Sequence, residues 1–282
     1  MNRRLLFTTL ESRDILNRQP RLGSLNLKGK GPTVNQYAEV SCRLHESLKL
    51  SIAPISVSIV ETVPEGIPPV STRLAAGCMF WEEAAKGPFA TSTSDHELCA
   101  IGVYTHNMAN PSGSYQSELG DVLKVMADMT YVRPEDVAKI PVLRRQAKYV
   151  IYAPLAQSPV DPDVVLLFVH SRQGLIITEA VQQVDPDAPP ALGRPACAIV
   201  PQAINSGRAA LSLGCCGARA YLDALTDDIA LWALPGPKLK EYAERIAALA
   251  NANATLTKFH ELRLRDVESG IVPTYRESLA RM

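Results

Sequence analysis

The chain has 282 residues, with 29 Lys and Arg balanced by 29 Asp and Glu, 46% hydrophobic and 21% charged residues, which is the composition of a globular protein and excludes a disordered or collagen-like chain. A formal net charge of zero leaves no cationic footprint for DNA, RNA or an anionic membrane surface, so the expected partner is a small-molecule substrate or ligand, with no nucleic acid and no membrane. A chain of this length buries a sizeable core, either as one domain or as two closely packed halves.

No apolar run approaches the ~18 residues that a membrane span needs; the longest, Val164–Val169 with its neighbours, has the length of a strand. The opening Met1-Asn2-Arg3-Arg4-Leu5-Leu6-Phe7 starts like a secretory leader, but Glu11, Arg13 and Asp14 cut its apolar part short, which argues against export. Six cysteines are too few for a disulfide-stapled secreted fold, so a reducing cytoplasm is expected, with the thiols reduced, buried or metal-bound.

Residues 1–33 read as a flexible leader, because Pro20, Gly23, Gly29, Gly31 and Pro32 crowd its second half. The body starts at Val34, as one α/β domain over 34–282 or two intertwined halves, 34–145 and 146–252, with a C-terminal tail. Val34, Tyr37, Ala38, Ser41, Leu44 and Leu48 recur at helical spacing. Ile52–Val60 alternates and is β-branched, as a strand is. A helix around Ala75–Ala85 and a short strand at Phe89–Thr93 follow, then an amphipathic helix over Ser117–Met129 and a helix start at Pro134. Tyr149–Ala153 and Val164–Val169, bounded by prolines, read as strands buried on both faces. Helices are predicted over Gln173–Val184, Ala196–Asn205 and Pro237–Asn251, strands over Ala209–Leu213 and Ile229–Leu234, and a loop over Asp185–Pro195. The fold class is mixed α/β, a sheet with flanking helices.

Self-comparison sets Cys78–Gly87 beside Cys197–Gly207. Each begins with Cys, has Ala six residues on and reaches Gly at the helix end, and each then meets a second cysteine near a glycine, Cys99 with Gly102 and Cys215 with Gly217. This pattern raises an internal duplication that would group two helix-start and two loop cysteines about a pseudo-two-fold axis. Four converging thiolates need a cation, which an iron–sulfur cluster or a zinc ion supplies. No C-x-x-C knuckle is present, which tilts the expectation for Cys78, Cys99, Cys197 and Cys215 toward iron–sulfur, with zinc or no metal as alternatives. The competing reading makes them small buried hydrophobes.

The segment Thr91–Gly102, followed by Thr105-His106, joins an acid, two imidazoles and a thiol. Asp95 and His96 are the candidate catalytic pair, with Asp95 orienting His96 for proton transfer; the alternative makes Asp95 a helix cap. His96 and Cys99 are also a candidate base and nucleophile needing no metal. His106 and Arg219, the latter after Gly214-Cys215-Cys216-Gly217, are candidate substrate-binding residues for an anion. No P-loop, dinucleotide fingerprint, metalloprotease helix or nucleophile elbow occurs.

Gly77-Cys78-Met79-Phe80-Trp81, Asp95-His96-Glu97-Leu98-Cys99-Ala100-Ile101-Gly102, Tyr152-Ala153-Pro154-Leu155 with Pro162-Asp163-Val164-Val165, and Ser212-Leu213-Gly214-Cys215-Cys216-Gly217-Ala218-Arg219 together resemble the bacterial and archaeal domain of unknown function 169 (DUF169), over roughly Val34 to Ala250. The resemblance extends to Cys78, Asp95, His96, Cys99, Cys197, Cys215 and Arg219. Leu98 and Ala100 around Cys99, and Cys216 where the family has an aromatic, depart from it. The resemblance implies a cytoplasmic protein of a family frequent in anaerobes, which suits iron–sulfur, but it carries no reaction. The leading expectation is a metal-dependent enzyme, a lyase or oxidoreductase, acting on a small anionic substrate. The alternatives are a non-catalytic sensor or carrier of a metal or haem, and a metal-free Cys–His thiol enzyme. A homodimer is compatible with the apolar strands.

Overall fold

Strands with no polar residue need cover on both sides, so the runs at 149–154 and 164–169 set the architecture. A computed structural model describes residues 34–187 and 190–281 of the chain; the leader expected over 1–33 lies outside the described residues. In chain order the elements are α1 (Val34–Leu48), β1 (Ile55–Val60), α2 (Met79–Glu83), β2 (Phe89–Ser92), α3 (Thr93–His96), α4 (Ala100–Thr105), α5 (Tyr115–Asp128), α6 (Pro134–Val137), β3 (Tyr149–Pro154) and β4 (Val164–His170). They continue as α7 (Ser171–Val184), β5 (Ala191–Leu192), α8 (Ile199–Ser206), β6 (Ala210–Ser212), α9 (Cys216–Tyr221), β7 (Ile229–Pro235), α10 (Leu239–Glu268) and α11 (Tyr275–Leu279).

The strands form one mixed sheet in the order β2-β3-β1-β4-β7-β6-β5. Its centre is the antiparallel β1–β4 pair, with Ile55 opposite Leu166 and Val57 opposite Val164. Outward from that pair the order is β1-β3-β2 on one side and β4-β7-β6 on the other, with β5 added in parallel at the edge. The expected α/β class therefore holds.

Alternation along β4 divides the interior in two. Val164, Leu166 and Phe168 join a core with Ile55, Val57, Phe80, Trp81, Tyr152, Ile199 and Leu231. Val165, Leu167 and Val169 join the opposite core, under Leu44 of α1, Ile177 of α7 and Tyr242 and Ile246 of α10. The first face carries Cys78 and Cys197 within it and Cys99 and Cys215 packed against it. The second face is covered chiefly by the long helices α1, α7 and α10, with Leu50 and Leu155 beside them, and holds none of these four cysteines.

The structure departs from the sequence reading in a few places. The helix expected over Pro237–Asn251 runs on to Glu268, since neither glycine nor proline interrupts the chain before Gly270, where φ is 80°. Its distal half is held by α11 through the Arg281–Asp266 ion pair, the Phe259–Tyr275 stack and Arg263 over the Tyr275 ring at 4.2 Å. The loop expected over Asp185–Pro195 includes β5, which pairs with β6. The short helices α3, α4, α9 and α11 lack the repeats that reveal longer ones. No helix among the described residues is long and apolar enough to cross a membrane.

Gly193 fixes the approach to Cys197. Its N–H donates to the Leu211 carbonyl at 3.0 Å, and an added Cβ would lie 2.6 Å from the backbone N and Cα of Ile199. Gly193→Ala should therefore destabilise the fold by about 1–3 kcal/mol through overpacking. Gly113→Ala, where nothing lies within 4 Å, should change stability by no more than ~0.5 kcal/mol. Chemical denaturation of the two variants checks this, and equal effects would contradict it.

Candidate functional site

Four separated chain segments bring their cysteines to the same place, and each does so where a helical turn begins. Cys78 directly precedes α2 and Cys197 lies in the 3-10 turn Ala196–Ala198 that runs into α8. Cys99 caps α4 and Cys215 caps α9. Early helical N–H groups have no carbonyl partner of their own, and here sulfur takes them. Gly102 N–H donates to Cys99 Sγ at 3.3 Å, and Ala218 N–H donates to Cys215 Sγ at 3.5 Å. The Thr105 hydroxyl, from the end of α4, donates to Cys197 Sγ at 3.4 Å.

All four cysteines, together with Cys216, line one cavity of about 720 Å³, a size typical of small-molecule and cofactor sites. One wall is α5, which contributes Val122, Leu123 and Met126; none of its residues is fully buried, and Tyr115 at its start packs against the first core. The apolar side chains of Leu98, Tyr131, Leu192 and Tyr221 line it and are also exposed. Arg194 and a Lys139–Asp136 ion pair supply charge at the same cavity.

Burial pushes the Cys78 thiol up to about 12, helped by the neighbouring Cys99 and Cys215. Burial likewise raises Cys197, with Cys99 adding to the effect and the Thr105 hydroxyl opposing it. Both shifts favour the protonated thiol at the deep pair. Among the described residues, no group of three or more His, Cys, Asp or Glu side chains is placed to hold a single metal ion.

The proposed acid–base and anion-binding residues are committed elsewhere. Asp95 does not orient His96: its carboxylate accepts from the Ser92 N–H at 2.7 Å and the Ser92 hydroxyl at 2.9 Å, closing a capping box at the start of α3. It faces a separate hollow beside Glu61 and Tyr149. His96 is buried. The Thr91 hydroxyl donates to the Val150 carbonyl and so accepts from His96 Nε2–H at 3.0 Å, which leaves Nδ1 bare and without a partner. The Cys99 N–H donates to the His96 carbonyl at 2.8 Å, but no hydrogen bond joins their side chains, so the base–nucleophile pairing is not formed.

His106 is also buried away from the cavity lining, with Nδ1–H donating to the Gly102 carbonyl at 3.1 Å and Nε2 unpartnered. Arg219 is not free to hold an anion. Its guanidinium donates to the carbonyls of Thr226 at 2.5 Å, Ile229 at 3.3 Å and Leu225 at 3.5 Å, and also to that of Leu213. It thereby staples the loop that carries Cys215, whose Gly214 has a φ of 86°.

Sequence reasoning missed Thr105, which touches Cys197, and α5 as a wall. The cap roles of Cys99 and Cys215 had a signal: each stands three residues before its donor, the spacing that Ser or Asp uses as an N-cap.

The family model described as DUF169, Uncharacterised ArCR, matches residues 43–245. The chain belongs to the DUF169 family. The matched span holds every one of the four cavity cysteines, whereas the distal half of α10 and all of α11 lie beyond it in this DUF169 chain. No curated protein and no solved structure matches.

Because Arg219 works as a backbone staple, Arg219→Lys should lower stability by about 2 kcal/mol, as read by urea denaturation; unchanged stability would contradict that role. Burial lowers His96 to about 3 and His106 to about 4, each below the ~6.5 of an unfolded histidine. The unfolded chain therefore takes up protons first, so the stability contributed by these neutral rings is complete above pH ~6.5 and falls as the pH drops toward 4. His106→Gln should flatten that fall in denaturation curves taken between those pH values; an unaltered slope would contradict it.

Proposed function

We propose that this protein binds an iron–sulfur cluster through Cys78, Cys99, Cys197 and Cys215 and serves as a cofactor-holding sensor or carrier. The observation that carries this reading is the meeting of four cysteines from four segments at one cavity, with hydrogen bonds already donated to three of the sulfurs. Donors aimed at sulfur favour its anionic, ligating form. The backbone N–H of Cys78 acts in the same direction on the fourth.

A cluster is preferred to zinc because the four cysteines stand singly in the chain, with no C-x-x-C knuckle of the kind structural zinc uses. A cluster carries each thiolate on a different iron. Haem takes a single thiolate and would leave three cysteines without a role. When bound, a cluster supplies electron transfer or, at an open iron, a Lewis acid.

A carrier or sensor is favoured over an anion-processing enzyme because Asp95 and Arg219 are spent on the fold and His106 lies behind the cavity. Cys99 and Cys215 are half-buried and Cys216 is exposed, which leaves the cavity mouth accessible to a partner.

Anaerobic purification with a visible spectrum and iron and sulfide analysis tests this. The expected result is broad absorption at the blue end of the visible, with iron and sulfide in matching amounts, lost in each of Cys78→Ser, Cys99→Ser, Cys197→Ser and Cys215→Ser. Cys42→Ser, on α1 and away from the cavity, should keep it. A folded wild-type protein that takes up neither iron nor sulfide would overturn the reading.

A further inference from the structure

α10 begins as a core helix and ends in solvent. Leu239, Tyr242 and Ile246 are buried on its sheet side with Leu249 half-buried beside them, and among the described residues of α10 none after Ala250 joins that core. Leu264 and Val267 stand eighteen residues after Ile246 and Leu249, which is five full turns of a helix, so they repeat the same angular positions about 27 Å farther along the axis. Ile246 is 0% exposed, whereas Leu264 is 59% and Val267 52% exposed. The apolar stripe that docks the helix on the sheet therefore runs on past the sheet, uncovered by the described residues.

α11 does not cover that stripe. It packs on another side of α10, against Phe259 and Asp266, through Tyr275 and Arg281. It and the turn before it add exposed apolar residues of their own: Val272 is 84% exposed, and Ile271, Tyr275 and Leu279 are exposed as well. Single apolar residues scattered on a surface are ordinary, but six of them within residues 264–279 are the mark of a docking surface. They present roughly 650 Å² of residue surface, most of the ~800 Å² that each partner gives to a standard stable interface.

The charges beside the stripe select the occupant. Residues 251–281 hold five basic and four acidic residues, a balance that draws in neither an anionic membrane nor a nucleic acid. Lys258, Glu261, Arg265 and Glu268 follow one another at spacings of three and four on the side of α10 next to Leu264. The ion pair formed in this region joins Arg281 to Asp266 and leaves that row unpaired among the described residues. The row reads plus, minus, plus, minus, and reversed it reads minus, plus, minus, plus. Two copies of α10 laid antiparallel therefore bring Lys258 toward Glu268 of the second copy and Glu261 toward Arg265 of the second copy. A parallel arrangement would oppose like charges. Self-complementarity of this kind is what an isologous, two-fold contact requires. Both faces of the sheet are already packed, so the apolar strands do not offer that contact.

We propose that the chain forms a two-fold homodimer through the distal half of α10 together with α11, with Leu264, Val267 and Val272 at its apolar centre and the charged row along its rim. The family match ends at residue 245, so this surface lies outside the matched DUF169 span. Nothing in it depends on what the sulfur site holds.

Sedimentation equilibrium of the full chain between about 1 and 100 µM tests this. The expected mass at the upper end is twice the 30.6 kDa of one chain. Leu264→Asp and Val272→Asp, both at exposed positions, should weaken dimerisation at least tenfold and leave the circular dichroism spectrum unchanged. Lys258→Glu alone should weaken it about two- to fivefold, and adding Glu268→Lys should restore it. Leu175→Asp, at an exposed position on α7, should change nothing. A chain that stays monomeric at the highest concentration would overturn the inference, as would a dimer that none of the α10 and α11 substitutions weakens. A monomer in which lysine cross-linking ties residues 1–33 to Lys258 would assign the face to the chain's own N-terminal segment and overturn it as well. So would a monomer that floats with anionic vesicles and loses that binding in Val272→Asp.

Discussion

Four sulfur atoms packed against one face of a sheet, each where a helical turn starts, form the constraint on which this structure depends. Thiols are tolerated in an apolar interior as small hydrophobes, but several together resist ionisation because burial and mutual repulsion act in the same direction. Cys78 and Cys197 carry that burden, being the two deepest. N–H and O–H dipoles oppose it at Cys99, Cys197 and Cys215, and Lys139 and Arg194 line the same cavity. Burial therefore favours protonated sulfur at Cys78 and Cys197.

The fold supplies the cavity by asymmetry of cover. One side of the sheet is sealed by α1, α7 and α10, whose apolar stripes account for that core. The other side is covered by short helices and turns that end before they reach one another, and the space between them is the cavity. Direct links hold those pieces in register. The Ala224 N–H donates to Glu82 Oε1 at 2.7 Å, tying the loop after α9 to α2, and the Leu143 N–H donates to the Thr105 carbonyl at 2.8 Å. The wall made by α5 differs, since none of its residues is fully buried: Val122, Leu123 and Met126 line the cavity, Tyr115 packs against the first core and Val125 is exposed. An element with so little burial opens at low cost in free energy.

Much of this was legible in the chain. The doubly buried strands followed from Val164–Val169 and Tyr149–Ala153, where no polar residue interrupts; comparing the segments after Cys78 and Cys197 singled out four cysteines that line one cavity, but the internal duplication it raised is not confirmed. What failed were readings that treated adjacency in sequence as adjacency in space. Asp95 and His96 are neighbours in the chain, yet on a helix of one turn their side chains diverge, one to the Ser92 cap and the other to Thr91 in the interior. Arg219 follows a glycine-rich turn that could have been a nest for anions, but the surrounding loop turns its own carbonyls inward and consumes the guanidinium. Thr105 was invisible as a site residue because only the tertiary fold brings it to Cys197, which is distant in the chain.

The measurement that bears most directly on the shared four-sulfur site is a mass-spectrometric map of thiol alkylation before and after anaerobic reconstitution with iron and sulfide. The account predicts that Cys78, Cys99, Cys197 and Cys215 become protected together, in proportion to the iron bound, while the exposed Cys42 and Cys216 stay reactive. Protection of the four in unequal steps, or protection that includes Cys42, would contradict a single site held by these thiols.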